Sequence, residues 1–126
     1  MAVYRPGEEN RNYRVPDLVL ARPEHKARRG IAGPAELVVE LLSPHDESRA
    51  KLPYYAAVGG REVLLIDRAA RAFELHRLVD GGLIVVAPDP AGTVRMDALD
   101  VDVSVAGDSL RLAWEGGEAE IPFEGG

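Results

Sequence analysis

Cysteine is absent from this sequence. That excludes a disulfide framework, a thiol nucleophile and a thiolate zinc site, and it fits a reducing compartment. Long apolar runs are missing too. No stretch approaches the roughly 18 apolar residues of a membrane span, and the N-terminus, Met-Ala-Val-Tyr-Arg-Pro-Gly-Glu-Glu-Asn, has no apolar signal core. Membrane insertion and secretion are unsupported, and the cytoplasm is the expected compartment. Aromatic residues are few, with one Trp, two Phe and four Tyr, and Trp114 and its companions form no interleaved base-stacking platform. Basic charge is in deficit, since 15 Lys and Arg stand against 21 Asp and Glu for a net charge of -6. This argues against a broad basic face that holds nucleic acid, but it does not exclude a nuclease.

What is present fits one domain, because 126 residues suffice for one core but not two. The positive charge gathers in His25-Lys26-Ala27-Arg28-Arg29 and Arg49-Ala50-Lys51, whereas residues 97–126 are strongly acidic. Residues 1–13 are polar, carry Pro6 and Gly7, show no periodic signal and read as a flexible arm before a domain spanning 14–123. Residues 15–21 read as a strand carrying Asp17, and 22–34 as a long charged hairpin loop. Residues 35–42 form the most apolar strand. Under period-two alternation Glu36, Val38, Glu40 and Leu42 share one of its faces.

Ser43-Pro44-His45-Asp46-Glu47-Ser48 has the composition of a turn into a helix, with Asp46 or Ser48 available as a cap. The helix runs toward Val58, tolerates Pro53 in its early turns and ends at Gly59-Gly60. Residues 62–67 read as a buried strand, 72–78 as an alternating one, and Gly81-Gly82 as a hairpin into 83–87. Further short strands follow, and the terminal Glu-Gly-Gly reads as frayed.

Asp17 and Glu40 pose the chemical question. Strands of Val and Leu rarely bury a carboxylate without a partner, because an unpaired buried charge costs several kcal/mol, roughly. If the two strands pair, both carboxylates could meet at one end of a sheet and offer hard oxygen ligands suited to magnesium, or to manganese in its place. Lys51, on the following helix, could reach the same end and stabilise charge on a phosphoryl group. Plainer roles exist for each. Asp17 could begin a strand or cap a turn, Lys51 could lie along a helix surface, and Glu36 falls nearer the solvated end. His25, His45 and His76 show no ligand spacing. The basic run at 25–29 could contact a phosphate backbone or form a solvated loop.

The order Pro16-Asp17, Glu40, Ser43-Pro44, Lys51-Leu52-Pro53-Tyr54-Tyr55-Ala56, Gly59 and Glu62-Val63-Leu64-Leu65-Ile66-Asp67 resembles the Uma-two family of restriction-endonuclease-type proteins. That family is part of the PD-(D/E)XK superfamily. The resemblance covers roughly residues 14 to 80 and rests on the combined spacing. It implies an α+β, restriction-endonuclease-like core: a mixed β-sheet with one short helix after the Glu40 strand, a shortened N-terminus and C-terminal β-hairpins. It implies an endonuclease acting on DNA, with Asp17, Glu40 and the Leu41 backbone carbonyl binding Mg2+ and Lys51 supporting attack by water. Tyr55, four residues after Lys51 on the same helix face, could hydrogen-bond near the site or serve as a partly buried structural residue. In the wider superfamily the lysine sits two residues after the glutamate. Here that position is Leu42, so the resemblance moves the role to Lys51.

Relatives usually carry a helix and an acidic strand before the Pro-Asp strand, whereas 16 residues precede Asp17 here and Glu8 and Glu9 are their only acids. The expected consequence is a sheet edge that the N-terminal arm or a partner chain must cover, the latter as a homodimer. A second functional class is also open, a non-catalytic member of the fold serving as a binding or assembly module.

Overall fold

The computed structural model describes residues 35–42, 52–57 and 59–123 in full, and before them the backbone of 2–4, 13–14, 18–20, 26–27 and 30–32. The expectations for Asp17, for the turn at 43–48 with its caps and His45, for Lys51, for His25 and for the terminal Glu-Gly-Gly lie outside the described residues.

The elements begin with β1 (Ala2–Tyr4), β2 (Tyr13–Arg14), β3 (Leu18–Leu20), β4 (Lys26–Ala27), β5 (Gly30–Ala32) and β6 (Leu37–Leu42). Helix α1 (Leu52–Ala57) follows, then β7 (Glu62–Asp67), β8 (Ala72–Val79) and β9 (Gly82–Val85). The chain closes with β10 (Val94–Met96), β11 (Val101–Ala106), β12 (Ser109–Trp114) and β13 (Gly117–Pro122). The described residues are mostly β with one short helix, consistent with the α+β expectation.

The central sheet has the order β3-β6-β7-β8-β9. It is mixed, because β6 and β7 run parallel while the β3–β6, β7–β8 and β8–β9 pairs are antiparallel. Parallel neighbours need a crossover connection, and α1 lies in the one between β6 and β7. Strand β7 is central, so Glu62, Val63, Leu64 and Leu65 are all buried on one face or the other.

The two faces carry separate cores. On one, Ala35, Val38, Leu42, Val63 and Leu65 pack with Tyr55 of α1. On the other, Leu37, Leu64 and Leu75 meet Val94, Met96, Val101, Val103, Leu110 and Phe123 from the C-terminal sheet, ordered β10-β11-β12-β13. The molecule is thus layered helix on sheet on sheet in this region.

The helix ends as its glycines require. Gly59 adopts φ 81°, and its N–H donates to the Ala56 carbonyl at 3.1 Å while Gly60 N–H donates to that of Tyr55 at 2.8 Å. This is the Schellman arrangement. The expected hairpin also forms. Asp80 (φ 50°) and Gly81 (φ 83°) occupy the left-handed positions of the two-residue turn that joins β8 to β9.

The early chain departs from the sequence expectation. Residues without a periodic signal supply β1 and the first residue of β2, and the expected long loop contains β4 and β5. These strands form a separate sheet, β2-β1-β5-β4, in which β5 runs parallel to β1. Their pairing partners are remote in sequence, and strands of two or three residues are too short to show an alternation.

Candidate functional site

The site is built on the helix-side face of the central sheet. Glu40 shares its face with Val38 and Leu42 by strand alternation, as expected, and its position between them leaves it only 3% exposed. Above it, Tyr55 is fully buried, and its hydroxyl donates to Glu40 Oε1 at 2.6 Å. A short bond from a hydroxyl to a carboxylate is of the strong, charge-assisted kind. The carboxylate thereby gains a buried donor that offsets part of its desolvation. Packing fixes the ring as well, since Tyr54 meets it edge-on at 6.0 Å between centroids.

The other expected site residues divide as follows. Leu41 lies on the opposite face of β6 and is 40% exposed. Leu42 is buried in the helix-side core. Asp17 and Lys51 lie outside the described residues. Glu36 lies in the bend just before β6, where Arg61 Nε approaches it at 3.4 Å, and it lines a cleft with Glu62 and Arg77. Among the described residues, no group of three or more His, Asp or Glu could hold a metal ion, and no helix is long and apolar enough to cross a membrane.

Two further carboxylates acquire significance only from the strand pairing. Glu40 pairs with Leu65, and Leu65 with Glu74, so Glu40 and Glu74 belong to one row on one face. Nearby is a cleft of 240 Å³ whose walls include Leu42, Leu65, Asp67 and Glu74. Buried His76 lies on that face as well, with Nε2 3.0 Å from Glu74 Oε1. The alternation of residues 72–78 reveals that Glu74 and His76 share a face, but not which strand they adjoin.

The second is Glu62, a core carboxylate on the opposite face. Its Oε1 accepts from Ala98 N–H at 2.7 Å, and its Oε2 accepts from Asp97 N–H at 3.1 Å and from Arg77 Nη2 at 2.9 Å. The side chain is 3% exposed. This carboxylate joins β7 to the segment after β10 and has the partners that a buried charge requires.

Residues 1–108 fit the family model Uma2, described as "Putative restriction endonuclease". The fit starts before and extends beyond the roughly 14–80 expected from the motifs. No curated protein matches the chain.

Proposed function

The chain belongs to the Uma2 family, and from that membership and the buried Tyr55–Glu40 contact we propose that it is a metal-dependent endonuclease hydrolysing phosphodiester bonds of DNA. In this reading Asp17, Glu40 and the backbone carbonyl of Leu41 hold Mg2+, with Mn2+ able to replace it. The donor chemistry supports a hard cation, because all three groups offer oxygen. The bound ion would supply Lewis-acid activation of water and of a phosphate oxygen. Tyr55 orients Glu40 through its hydroxyl, which donates to Oε1. A carboxylate has about four acceptor sites, so one bond from a tyrosine does not exhaust it. Lys51 takes the role of stabilising charge on the phosphate.

Chain connectivity supports the grouping. Leu18 pairs with Val39, and Asp17 and Glu40 are the covalent neighbours of these two residues, each only ~3.8 Å along the chain by Cα. Lys51 directly precedes Leu52, where the helix carrying Tyr55 begins.

Plasmid and single-stranded DNA cleavage with Mg2+ or Mn2+ tests the proposal. Cleavage is expected, with a loss of about 100-fold or more in Glu40→Ala and in Lys51→Ala. A folded sample that cuts neither substrate with either ion would overturn it.

The net charge of -6 favours one competing reading, a non-catalytic binding or assembly module in the same family. Titration calorimetry separates the two. Divalent metal binding that requires Glu40 supports the nuclease, and its absence in a stable oligomer supports the module.

A further inference from the structure

Glu74 and His76 lie two residues apart on β8 and so share the helix-side face of the central sheet. The register carries Glu74 to Leu65 and Leu65 to Glu40, and two strand spacings of about 4.8 Å put the Cα atoms of the two glutamates ~10 Å apart. Their surroundings differ. Glu40 is buried against Tyr55, whereas the Glu74 side chain is 37% exposed and forms part of the wall of the 240 Å³ cleft. Leu65 stands between them in the row and is buried.

A glutamate of this exposure loses up to about 1.5–2 kcal/mol of side-chain entropy when it is held in one rotamer, so something must hold it. His76 does so from the core. Its ring is buried, with Nε2 3.0 Å from Glu74 Oε1, and a carboxylate accepts, so Nε2–H is the donor. The imidazole is fixed in turn, because its residue pairs with Val63 on one side and Val85 on the other. A carboxylate has about four acceptor sites, so the bond from His76 does not exhaust Glu74. Asp67 shares the face and the cleft but is used otherwise: its Oδ1 accepts from the Ala70 N–H at 3.0 Å in the turn between β7 and β8.

We propose that Glu74, positioned by His76, is a further residue of the Glu40 cation site, where it holds a water of the bound cation's shell rather than the cation itself. This deepens the nuclease reading and rests on it. Among the described residues no group of three or more His, Asp or Glu could hold an ion by themselves, and Leu65 separates the two glutamates, so Glu74 contributes through water. Mg2+ suits such an arrangement because it usually keeps several of its waters. A carboxylate across from the ligand accepts a hydrogen bond from one of them and fixes its direction, as the groups that surround a metal's direct ligands commonly do. His76 acts only through Glu74 and is therefore a positioning residue.

Calorimetric titration of Mn2+ into the full chain tests this without a cleavage assay. Glu74→Gln should weaken binding by about 10-fold or more, the loss expected when a group that supports a metal's ligands is removed, and His76→Ala should weaken it by leaving Glu74 untethered. His76→Gln, whose amide can stand in for the Nε2 donor, should recover most of that affinity. Adding His76→Ala to Glu74→Gln should cost nothing further, since the histidine works only through the glutamate. Asp67→Asn removes a charge from the same cleft but keeps the turn's acceptor, and it should bind Mn2+ almost as tightly as wild type. Binding that requires Glu40 yet is unchanged in a folded Glu74→Gln variant overturns the inference and leaves the nuclease reading standing. Equal losses in Asp67→Asn and Glu74→Gln also overturn it, because negative charge in the cleft would then account for both, and so do additive losses from His76→Ala and Glu74→Gln. Binding that survives Glu40→Gln, or a wild-type chain that binds no Mn2+, removes the site itself and the inference with it.

Discussion

The Tyr55 hydroxyl and Glu40 Oε1 stand 2.6 Å apart in the core between α1 and the central sheet. This contact ties α1 to the carboxylate at the centre of the proposed chemistry. It also makes stability and function separable, because Tyr55 has both a ring that packs and a hydroxyl that orients.

Tyr55→Phe keeps the ring and removes the donor. A buried hydrogen bond to a charged group is worth about 1.5–3 kcal/mol, and that loss is expected in urea unfolding. Tyr55→Ala also leaves a cavity and should cost more, about 3–5 kcal/mol. If the two variants unfold at the same urea concentration, the hydroxyl and not the ring carries the stabilisation.

Metal binding should stabilise the fold. With divalent ion at 100 times its dissociation constant, linkage predicts a gain of about 2.7 kcal/mol, read as a rise in melting temperature on adding Mn2+ or Mg2+. Glu40→Gln should abolish the rise. An equal rise in that variant would remove Glu40 from the ligand set.

Glu62 has a structural role by the same physical criteria. Glu62→Ala would leave the Arg77 guanidinium and the amides of Asp97 and Ala98 without their carboxylate. Arg77 is 30% exposed and keeps Asp97 at 3.4 Å, so the main cost is the two amides left unpaired, about 1–3 kcal/mol each, and urea unfolding should shift strongly. If Glu62→Ala proves as stable as wild type, this clamp does not hold the two sheets together.

At the helix end, Gly59 adopts φ 81°, a conformation that costs a residue with Cβ about 1–2 kcal/mol. Gly59→Ala should lose that much in thermal or urea unfolding, and Gly59→Asn, which tolerates the left-handed region better, should lose less.

The charges of the outlying C-terminal sheet are locally matched. The Arg95 guanidinium is raised above its ordinary pKa, first by its hydrogen bond to Asp102, and that of Arg111 likewise by Glu118. Both stay cationic through any pH at which the fold is studied. The acidity read from residues 97–126 is therefore partly neutralised where these arginines lie.

Residues 35–42 and 62–67 have alternation or continuous apolarity long enough to identify them as strands, and the glycine pairs at 59–60 and 81–82 mark the helix end and hairpin, where Gly59 and Gly81 adopt positive φ. The shared face of Val38, Glu40 and Leu42 follows from the same periodicity. The family was legible too, in the ordered spacing around Asp17, Glu40 and Lys51. Local periodicity and local backbone preference are properties of neighbouring residues, so the sequence by itself determined these features. Only the tertiary structure decided that Tyr55 reaches Glu40, that Glu74 shares its row, that Glu62 clamps the segment at 97–98, and that Ala2–Tyr4 lies beside Gly30–Ala32. Each of these depends on which strand or helix lies beside which, and pairing between elements remote in the chain leaves no periodic trace in either one.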